Sequence, residues 1–205
     1  LSTARHTRLK EDSTMKYKLT DETKEYLDKT LHRIVCVTAF ANVAAGELGG
    51  WLESETNLSQ YGDASVSGNA LVCGKAWVYG DARVCDNAQV CGNALVYGNA
   101  WVYGDALVYG DAQVYGDALV YGDAQVYGDA QVEKTTDYIV LKNNWSSNRY
   151  FTYTVSNKMW RVGCFYGTGE ELIKKAYADS KLSGKCYEAA VRYVESLEKI
   201  QAEVQ

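Results

Sequence analysis

A six-residue phrase is repeated twelve times without interruption between Tyr61 and Val132. Its positions are Tyr, Cys or Ser, then Gly, usually Asp or Asn, then Ala, a variable residue and Val. Ala and Val occur in every copy, and Gly is replaced once, by Asp86. So strict a period indicates a repeat architecture, in which each unit packs on its neighbours along the chain.

The phrase alternates a short extended segment with a turn. Ala and Val lie two positions apart and therefore point to the same side, whereas the variable residue between them points away. Gly and Asp or Asn turn a chain at little steric cost. Three such sides close a triangle every 18 residues, so the sequence predicts a mainly β fold. We expect a three-sided parallel β-helix of about four coils over residues 61–132.

Stacking the coils predicts which side chains share an outer face. Residues 18 apart should lie above one another at about 4.8 Å. This places Trp77 beside Leu95 and Trp101 beside Leu119, all on outward faces. Contiguous apolar surface indicates a partner or self-association, and we expect a homo-oligomer, either a trimer or a dimer. The predicted partner surface comprises Trp77, Leu95, Trp101, Leu119, Leu71 and Leu107.

The flanks divide the rest of the chain. Residues 1–14 precede the first Met and are expected to be a disordered leader or tag. Residues 15–60 should form an N-terminal β cap, in which Trp51 is predicted to plug the open end of the coil. Residues 133–205 are predicted to form a small C-terminal α+β module with three strands and two helices.

The second of these helices is predicted at about residues 186–203. Apolar residues follow one face of it, a pattern typical of packing on a core rather than of an oligomer seam. They are Tyr187, Ala190, Val191, Val194, Leu197 and Ile200.

Composition narrows the choice of partners. The formal net charge is −5, and the repeat is the acidic part, which argues against nucleic-acid binding. No apolar stretch is long enough to span a membrane and no secretory signal precedes the repeat, so we expect a cytoplasmic protein. The six cysteines lack metal-type spacing, and we expect no metal site. Cys73 and Cys91 should be stacked neighbours; a disulfide is geometrically conceivable, but free thiols are expected in a reducing compartment.

Residues 16–132 resemble a group of bacterial and phage hexapeptide-repeat proteins, often labelled acetyltransferase-like, which form left-handed parallel β-helices. The resemblance rests on Lys16–Leu19, the Gly-Gly-Trp-Leu-Glu element at Gly49–Glu53 and the Leu-Ser-Gln phrase at Leu58–Gln60. The Gly-Cys-Phe-Tyr-Gly-Thr phrase at Gly163–Thr168 is similar to one in phage and prophage proteins. The resemblance implies a protein that acts in a bacterial host cell, and its group has no generally assigned function.

The best-known hexapeptide-repeat proteins are acyltransferases, in which a His on the coil usually acts as general base. The two His residues of this chain, His6 and His32, both lie outside the repeat. We therefore expect no catalytic residue and no cofactor.

One anion-binding site is conceivable in the C-terminal module. Gly163–Gly169 opens a predicted helix whose N-terminus would attract anions, and basic residues lie nearby in the sequence. A tight turn into a capped helix explains the same residues, because the P-loop ending is missing. The candidate anion-binding residues are Arg161, Gly167, Thr168, Gly169 and Lys174.

The sequence favours a non-catalytic binding or scaffold protein of phage or prophage origin. Its partner would be a host protein or a small anionic ligand, and it could inhibit a host defence system. Two alternatives remain: a structural component of a virion or of its assembly, and a degenerate acyltransferase that still binds coenzyme A.

Overall fold

The computed structural model describes residues 15–204. The predicted leader, residues 1–14, lies outside the described residues. In the described part, a β-solenoid carries an antiparallel hairpin at its N-terminal end and an α+β module at its C-terminal end. None of the described helices is both long enough and apolar enough to cross a membrane.

Each repeat contributes one two-residue strand to the solenoid. These strands are β4 Ser65–Val66, β5 Leu71–Val72, β6 Trp77–Val78, β7 Arg83–Val84, β8 Gln89–Val90, β9 Leu95–Val96, β10 Trp101–Val102, β11 Leu107–Val108, β12 Gln113–Val114, β13 Leu119–Val120, β14 Gln125–Val126 and β15 Gln131–Val132. All twelve Ala and all twelve Val side chains of the repeat are buried inside the coil. The alternation predicted from the repeat is confirmed.

The strands form three parallel sheets in the predicted register. We call the sheet β4, β7, β10 and β13 the Trp101 face, and the sheet β6, β9, β12 and β15 the Trp77 face. The third sheet contains β5, β8, β11 and β14, and also β3 (Leu48–Leu52) and the hairpin strands β1 (Tyr17–Tyr26) and β2 (Lys29–Cys36). We call it the hairpin face. Trp101 pairs with Leu119, and Trp77 pairs with Leu95, as the 18-residue stacking requires.

The solenoid begins earlier than residue 61. Leu52 pairs in parallel with Val72, and Leu58 bridges Val78, so both side chains continue the buried Val columns. An extra, incomplete turn therefore precedes the predicted four coils, and the solenoid has about five turns. The sequence did not indicate this turn because its repeat phrase is absent there.

Corner geometry explains the invariant Gly of the repeat. Eleven corner glycines have positive φ, and Asp86, the one exception, also adopts φ 60°. Asp86 tolerates this conformation better than most L-residues, and its carboxylate accepts a hydrogen bond from the Gly104 N–H at 3.0 Å. The corners therefore require a left-handed backbone in every coil.

The backbone hydrogen bonds between coils of the solenoid all run one way along the stack. The N–H of each variable residue donates to an Ala carbonyl of the next coil, as from Leu71 to Ala88 at 3.0 Å. The first repeat coil therefore has Ala carbonyls with no complete coil before them, and the last coil has N–H groups with no coil after them. Buried polar groups of this kind must find partners.

At the N-terminal end, three different groups bind the three Ala carbonyls. The Trp51 N–H donates to Ala70 O at 2.9 Å. The Asn57 side-chain amide donates to Ala76 O, and the Lys16 ammonium donates to Ala64 O, both at 2.8 Å. The Ala carbonyl on each face of the first coil thereby has a donor.

At the C-terminal end, three hydroxyl groups accept the corresponding N–H groups. Gln125 N–H donates to the Thr152 hydroxyl at 2.9 Å, and Gln131 N–H donates to the Ser156 hydroxyl at 2.8 Å. The Leu119 N–H donates to Thr135 at 3.4 Å. Again one N–H on each face has a partner, so the ladder of bonds between variable-residue N–H groups and Ala carbonyls is closed at both ends.

Tyrosines cover the apolar column at each end. Tyr17 and Ile34 join the Val core at the N-terminal end, and Tyr138 joins it at the C-terminal end. Each hydroxyl donates back to a backbone carbonyl, from Tyr17 to Leu58 and from Tyr138 to Leu119.

The prediction that Trp51 plugs the coil is wrong. Trp51 lies on the outer side of β3, because its neighbours Gly50 and Leu52 take the inward positions. The ammonium of Lys24 lies 4.5 Å from the centre of its ring.

The C-terminal module is an antiparallel sheet covered by two helices. Its strands and helices are β16 Tyr138–Asn143, β17 Arg149–Thr154, β18 Met159–Val162, β19 Phe165–Gly167, α1 Gly169–Asp179 and α2 Lys181–Val204. Strand β19 was not predicted, and α2 starts five residues earlier than expected. Phe151, Trp160, Leu172, Tyr187 and Val191 are central to the core between the sheet and the helices.

We predict that a corner methyl group destabilises the solenoid to different degrees at Gly110 and Gly122. Both have positive φ, but an added Cβ would lie 2.9 Å from Gly128 O at Gly110 and would have nothing within 4 Å at Gly122. Gly122→Ala should lower the free energy of unfolding by about 1 kcal/mol. Gly110→Ala should lower it by about 2–4 kcal/mol, since the clash adds to the backbone strain. Urea unfolding measures both, and equal losses would contradict the close stacking of the corners.

We also predict a pH-dependent contribution from Lys16. Its burial lowers the pKa from 10.5 to about 8. Between these values the unfolded chain holds a proton that the folded chain has released, so the free energy of unfolding rises with pH. Lys16→Met removes this rise. The stability difference between wild type and variant should grow by about 2–3 kcal/mol in favour of wild type from pH 7 to pH 10.

Urea unfolding at both pH values measures this growth. Lys18→Met, at an exposed neighbouring lysine, is the control and should keep the rise in stability that Lys16 causes. A stability difference between wild type and Lys16→Met that does not change with pH would contradict the buried position of the Lys16 amine.

Candidate interaction surface

The N-terminal hairpin covers the outside of one of the three faces. Leu31 of the hairpin is fully buried in a cluster with Trp51, Leu71, Cys73 and Cys91. Leu71 is therefore only 4% exposed, and its predicted role in a partner surface is wrong. The sequence did not reveal this because the hairpin reaches the face through tertiary folding.

The tip of the hairpin is held further along the same face. The Tyr26 hydroxyl is hydrogen-bonded to both the Tyr109 hydroxyl and the Gln89 side chain. Leu107, which pairs with Gln89 of the preceding coil, is half-buried. Much of this face is thus occupied by the chain itself.

The hairpin also buries the one disulfide of the described residues. Cys73 and Cys91 are bonded, contrary to the expectation of free thiols, and their Cα atoms are 4.6 Å apart. Stacking of consecutive coils brings the two residues to a separation that a disulfide can span. Both residues lie beneath Leu31 and Trp51, away from solvent.

The Trp101 face is open to solvent. In three consecutive coils it carries a cationic, an aromatic and an aliphatic side chain. The Arg83 guanidinium lies 4.8 Å from the centre of the Trp101 ring, and Leu119 follows in the next coil. Trp101 is 40% exposed and Leu119 is 37% exposed. A groove of about 230 Å³ separates this row from the loop at residues 41–43. The face therefore offers an apolar strip with a recess beside it.

The Trp77 face is also open, and an aromatic ladder runs along its corner. The Trp77 ring is 43% exposed and stacks on Tyr79, with ring centroids 4.1 Å apart. Tyr97 stacks on Tyr79 at 4.9 Å, and Tyr115 stacks on Tyr97 at 5.2 Å. Partial burial raises the pKa of Tyr79 and of Tyr97, so both phenols are neutral at physiological pH. Leu95 is half-buried beside the ladder.

The five candidate anion-binding residues do not converge on one site. The Glu171 carboxylate accepts the Thr168 N–H at 2.8 Å, and therefore already occupies the N-terminus of α1. The Arg161 guanidinium instead lies 4.1 Å from the centre of the Tyr127 ring on the solenoid. Strand alternation explains this, because Trp160 faces the helices and Arg161 faces the other way. Gly167 is buried against the Glu171 side chain, Gly169 is half-buried and Lys174 is exposed on α1.

The surroundings of the His and Cys side chains do not favour catalysis. His32 lies in the hairpin, and its Nδ1 is 3.2 Å from Thr20 O. Burial raises the pKa of the Cys85 thiol, which opposes formation of a nucleophilic thiolate. Within residues 15–204, no three His, Cys, Asp or Glu side chains are grouped so that they could hold a metal ion.

The sequence analysis did not predict the exposed apolar side of α2. Ile200, assigned to the core face, is 55% exposed, whereas Tyr187, Val191 and Val194 are buried as predicted. The signal was available, because a second apolar stripe at heptad-like spacing follows the opposite side of the helix.

We predict that the Tyr26 hydroxyl holds the hairpin against the solenoid. Tyr26→Phe removes its hydrogen bonds to Tyr109 and Gln89, which should lower the free energy of local hairpin opening by about 1 kcal/mol. Amide exchange in β1 and β2 should therefore accelerate about fivefold, while solenoid amides keep their rates. Tyr61→Phe, at an exposed tyrosine, is the control. Unchanged exchange in Tyr26→Phe would show that the tip contact does not hold the hairpin.

A comparison with known protein families matches residues 88–104 and 112–128 to the YdcK beta solenoid repeat. A search of curated proteins gave no match. The matched stretches lie in the middle coils and contribute strands to all three faces. The chain is similar to that repeat over these residues, and the stacked three-sided coil identifies it as a β-solenoid repeat protein.

Proposed function

We propose that this protein is a non-catalytic binding scaffold, encoded by a phage or prophage, that engages a protein of the bacterial host. One observation carries the proposal: the two open faces hold aromatic and aliphatic side chains in fixed rows, in which Trp77, Trp101 and Leu119 are exposed to solvent. Trp101 and Leu119 form one row, and Trp77 with its tyrosine ladder forms the other. Exposed apolar rows on an otherwise polar repeat are typical of interaction surfaces.

The rigidity of these rows favours binding to another protein. In the Trp77 row each ring is stacked on its neighbour, and in the other row the Arg83 guanidinium lies over the Trp101 ring. The backbone beneath both rows is fixed by the hydrogen-bond ladder. Little conformational entropy would be lost on contact, and aromatic anchors dominate the energetics of many interfaces. The corners carry mostly Asp and Asn, so we expect a partner whose rim is basic.

The biological setting is part of the same proposal. The Gly-Gly-Trp element resembles that of a bacterial and phage group, and the C-terminal phrase resembles one in phage and prophage proteins, which would place the protein in the host cytoplasm. The disulfide can persist there if the hairpin keeps reductants from reaching it, since thiol–disulfide exchange requires access. Inhibition of a host defence system is one role that such a scaffold could have.

The test is capture of host proteins by the full chain and by two classes of surface variant. Trp101→Lys and Trp77→Lys change the two open faces, and Gln131→Lys adds the same charge at an exposed position of the Trp77 face. Wild type and Gln131→Lys should retain one stoichiometric host protein. One or both of the Trp variants should bind it at least 30-fold more weakly, as expected when an aromatic anchor is lost.

Three results would contradict the proposal. Equal retention by all four chains would place the contact elsewhere, and co-purification only with virus particles would favour a structural role in the virion. Micromolar binding of coenzyme A, measured by calorimetry and lost in the Trp variants, would favour a degenerate acyltransferase.

A further inference from the structure

Helix α2 has two apolar sides, and only one is covered. Gly184, Tyr187, Val191 and Val194 are buried against the module. On the opposite side, 60% of Leu182, 52% of Tyr193, 55% of Ile200 and 83% of Val204 are exposed. This exposed side is about 33 Å long at 1.5 Å per residue.

The spacing of the apolar residues along the exposed stripe is the same when counted from either end. From Leu182 its apolar positions advance by four, three, four, four, three and four residues to Val204, with Tyr193 in the middle. Two such helices packed antiparallel around Tyr193 would set Leu182 against Val204 of the second copy. The same register would set Cys186 against Ile200 and Ala189 against Leu197. A twofold interface requires this kind of self-complementary pattern.

The sizes of the paired side chains are also complementary. The N-terminal half of the stripe has the small residues Cys186, half-buried beside the module core, and Ala189, which is exposed. The C-terminal half has the large residues Leu197, half-buried, and Ile200, exposed. A groove of about 450 Å³ lies beside the small residues and is walled by Leu141 and Trp145. Leu197 and Ile200 of a second copy would insert there. Trp145, which is 73% exposed, would flank them.

Charges beside the stripe favour the same register. Lys185 and Glu203 are exposed on the same flank of the stripe, near its two ends. In the antiparallel register, Lys185 of each copy lies near Glu203 of the other, which gives two equivalent ion pairs. A parallel pair would instead keep Lys185 of one copy about 27 Å along the helix axis from Glu203 of the other, so neither ion pair could form.

We propose that two copies of this chain dimerise through antiparallel packing of the exposed stripe of α2. The interface lies on the C-terminal module and leaves both open faces of the solenoid free, so each dimer presents two sets of them. This inference does not rest on the proposed function, and it moves the expected homo-oligomer interface away from the solenoid.

Light scattering coupled to size exclusion tests the dimer at micromolar concentration. Wild type should have twice the mass of the 22.7 kDa chain. Ile200→Glu should be monomeric, because it would bury two unpaired carboxylates. Its chain should still be folded by circular dichroism, since Ile200 is exposed in one chain. Trp101→Glu should remain dimeric. A monomeric wild type, or a dimer lost only in Trp101→Glu, would overturn the proposal.

Disulfide crosslinking tests the register, in a Cys164→Ser background that removes the exposed thiol. Ile200→Cys should crosslink two chains under mild oxidation, because the introduced thiol meets the Cys186 of the second copy. Adding Cys186→Ser should abolish that crosslink. A crosslink that survives Cys186→Ser would indicate parallel packing and overturn the antiparallel arrangement.

Exchange of charge provides an independent check. Lys185→Glu and Glu203→Lys should each weaken the dimer several-fold, and the double variant should restore its affinity. Two single effects that simply add in the double variant would contradict the pairing of these residues.

Discussion

The structure depends on a ladder of backbone hydrogen bonds that all point the same way. Each coil donates to the next, so one end of the solenoid presents free carbonyls and the other presents free N–H groups. In a single-chain protein these groups must be satisfied, or they become edges that pair with other chains. The flanking segments meet this need face by face. Lys16, Trp51 and Asn57 bind the carbonyls, and the hydroxyls of Thr135, Thr152 and Ser156 accept the N–H groups.

The same ladder fixes the outer surface. Because strands stack in register, side chains 18 residues apart form columns, and a column of aromatic residues becomes a rigid row of stacked rings. One of the three faces is covered by the N-terminal hairpin, which seals Leu71 and the Cys73–Cys91 bond. Two faces stay open, and the proposed binding function belongs to them. The C-terminal module closes the ladder with its sheet, and its last helix carries a separate exposed stripe.

Local periodicity was sufficient to predict the solenoid, and insufficient to predict what covers it. The six-residue phrase predicted the buried Ala and Val, the corner glycines and the three outward columns, because each of these follows from neighbouring coils. The ends of the ladder depend on side chains far away in the sequence, such as Lys16 on Ala64, and no local pattern indicates such a contact. Trp51 was misplaced because its aromatic size indicated a plug, while strand alternation directs it outward. The five anion-site residues were grouped because they are close in sequence. In the structure, however, Arg161 lies against the solenoid, whereas Thr168 lies at the N-terminus of α1.

Native-state hydrogen exchange of the solenoid amides tests the closed ladder most directly. If both ends are capped, the amides of Leu119, Gln125 and Gln131 in the last coil should be as protected as those of Trp101 and Leu107 in the middle. All of them should then exchange through one cooperative opening of the solenoid. Protection that falls steadily toward the last coil, with these three amides exchanging as in an unfolded chain, would contradict the closed ladder.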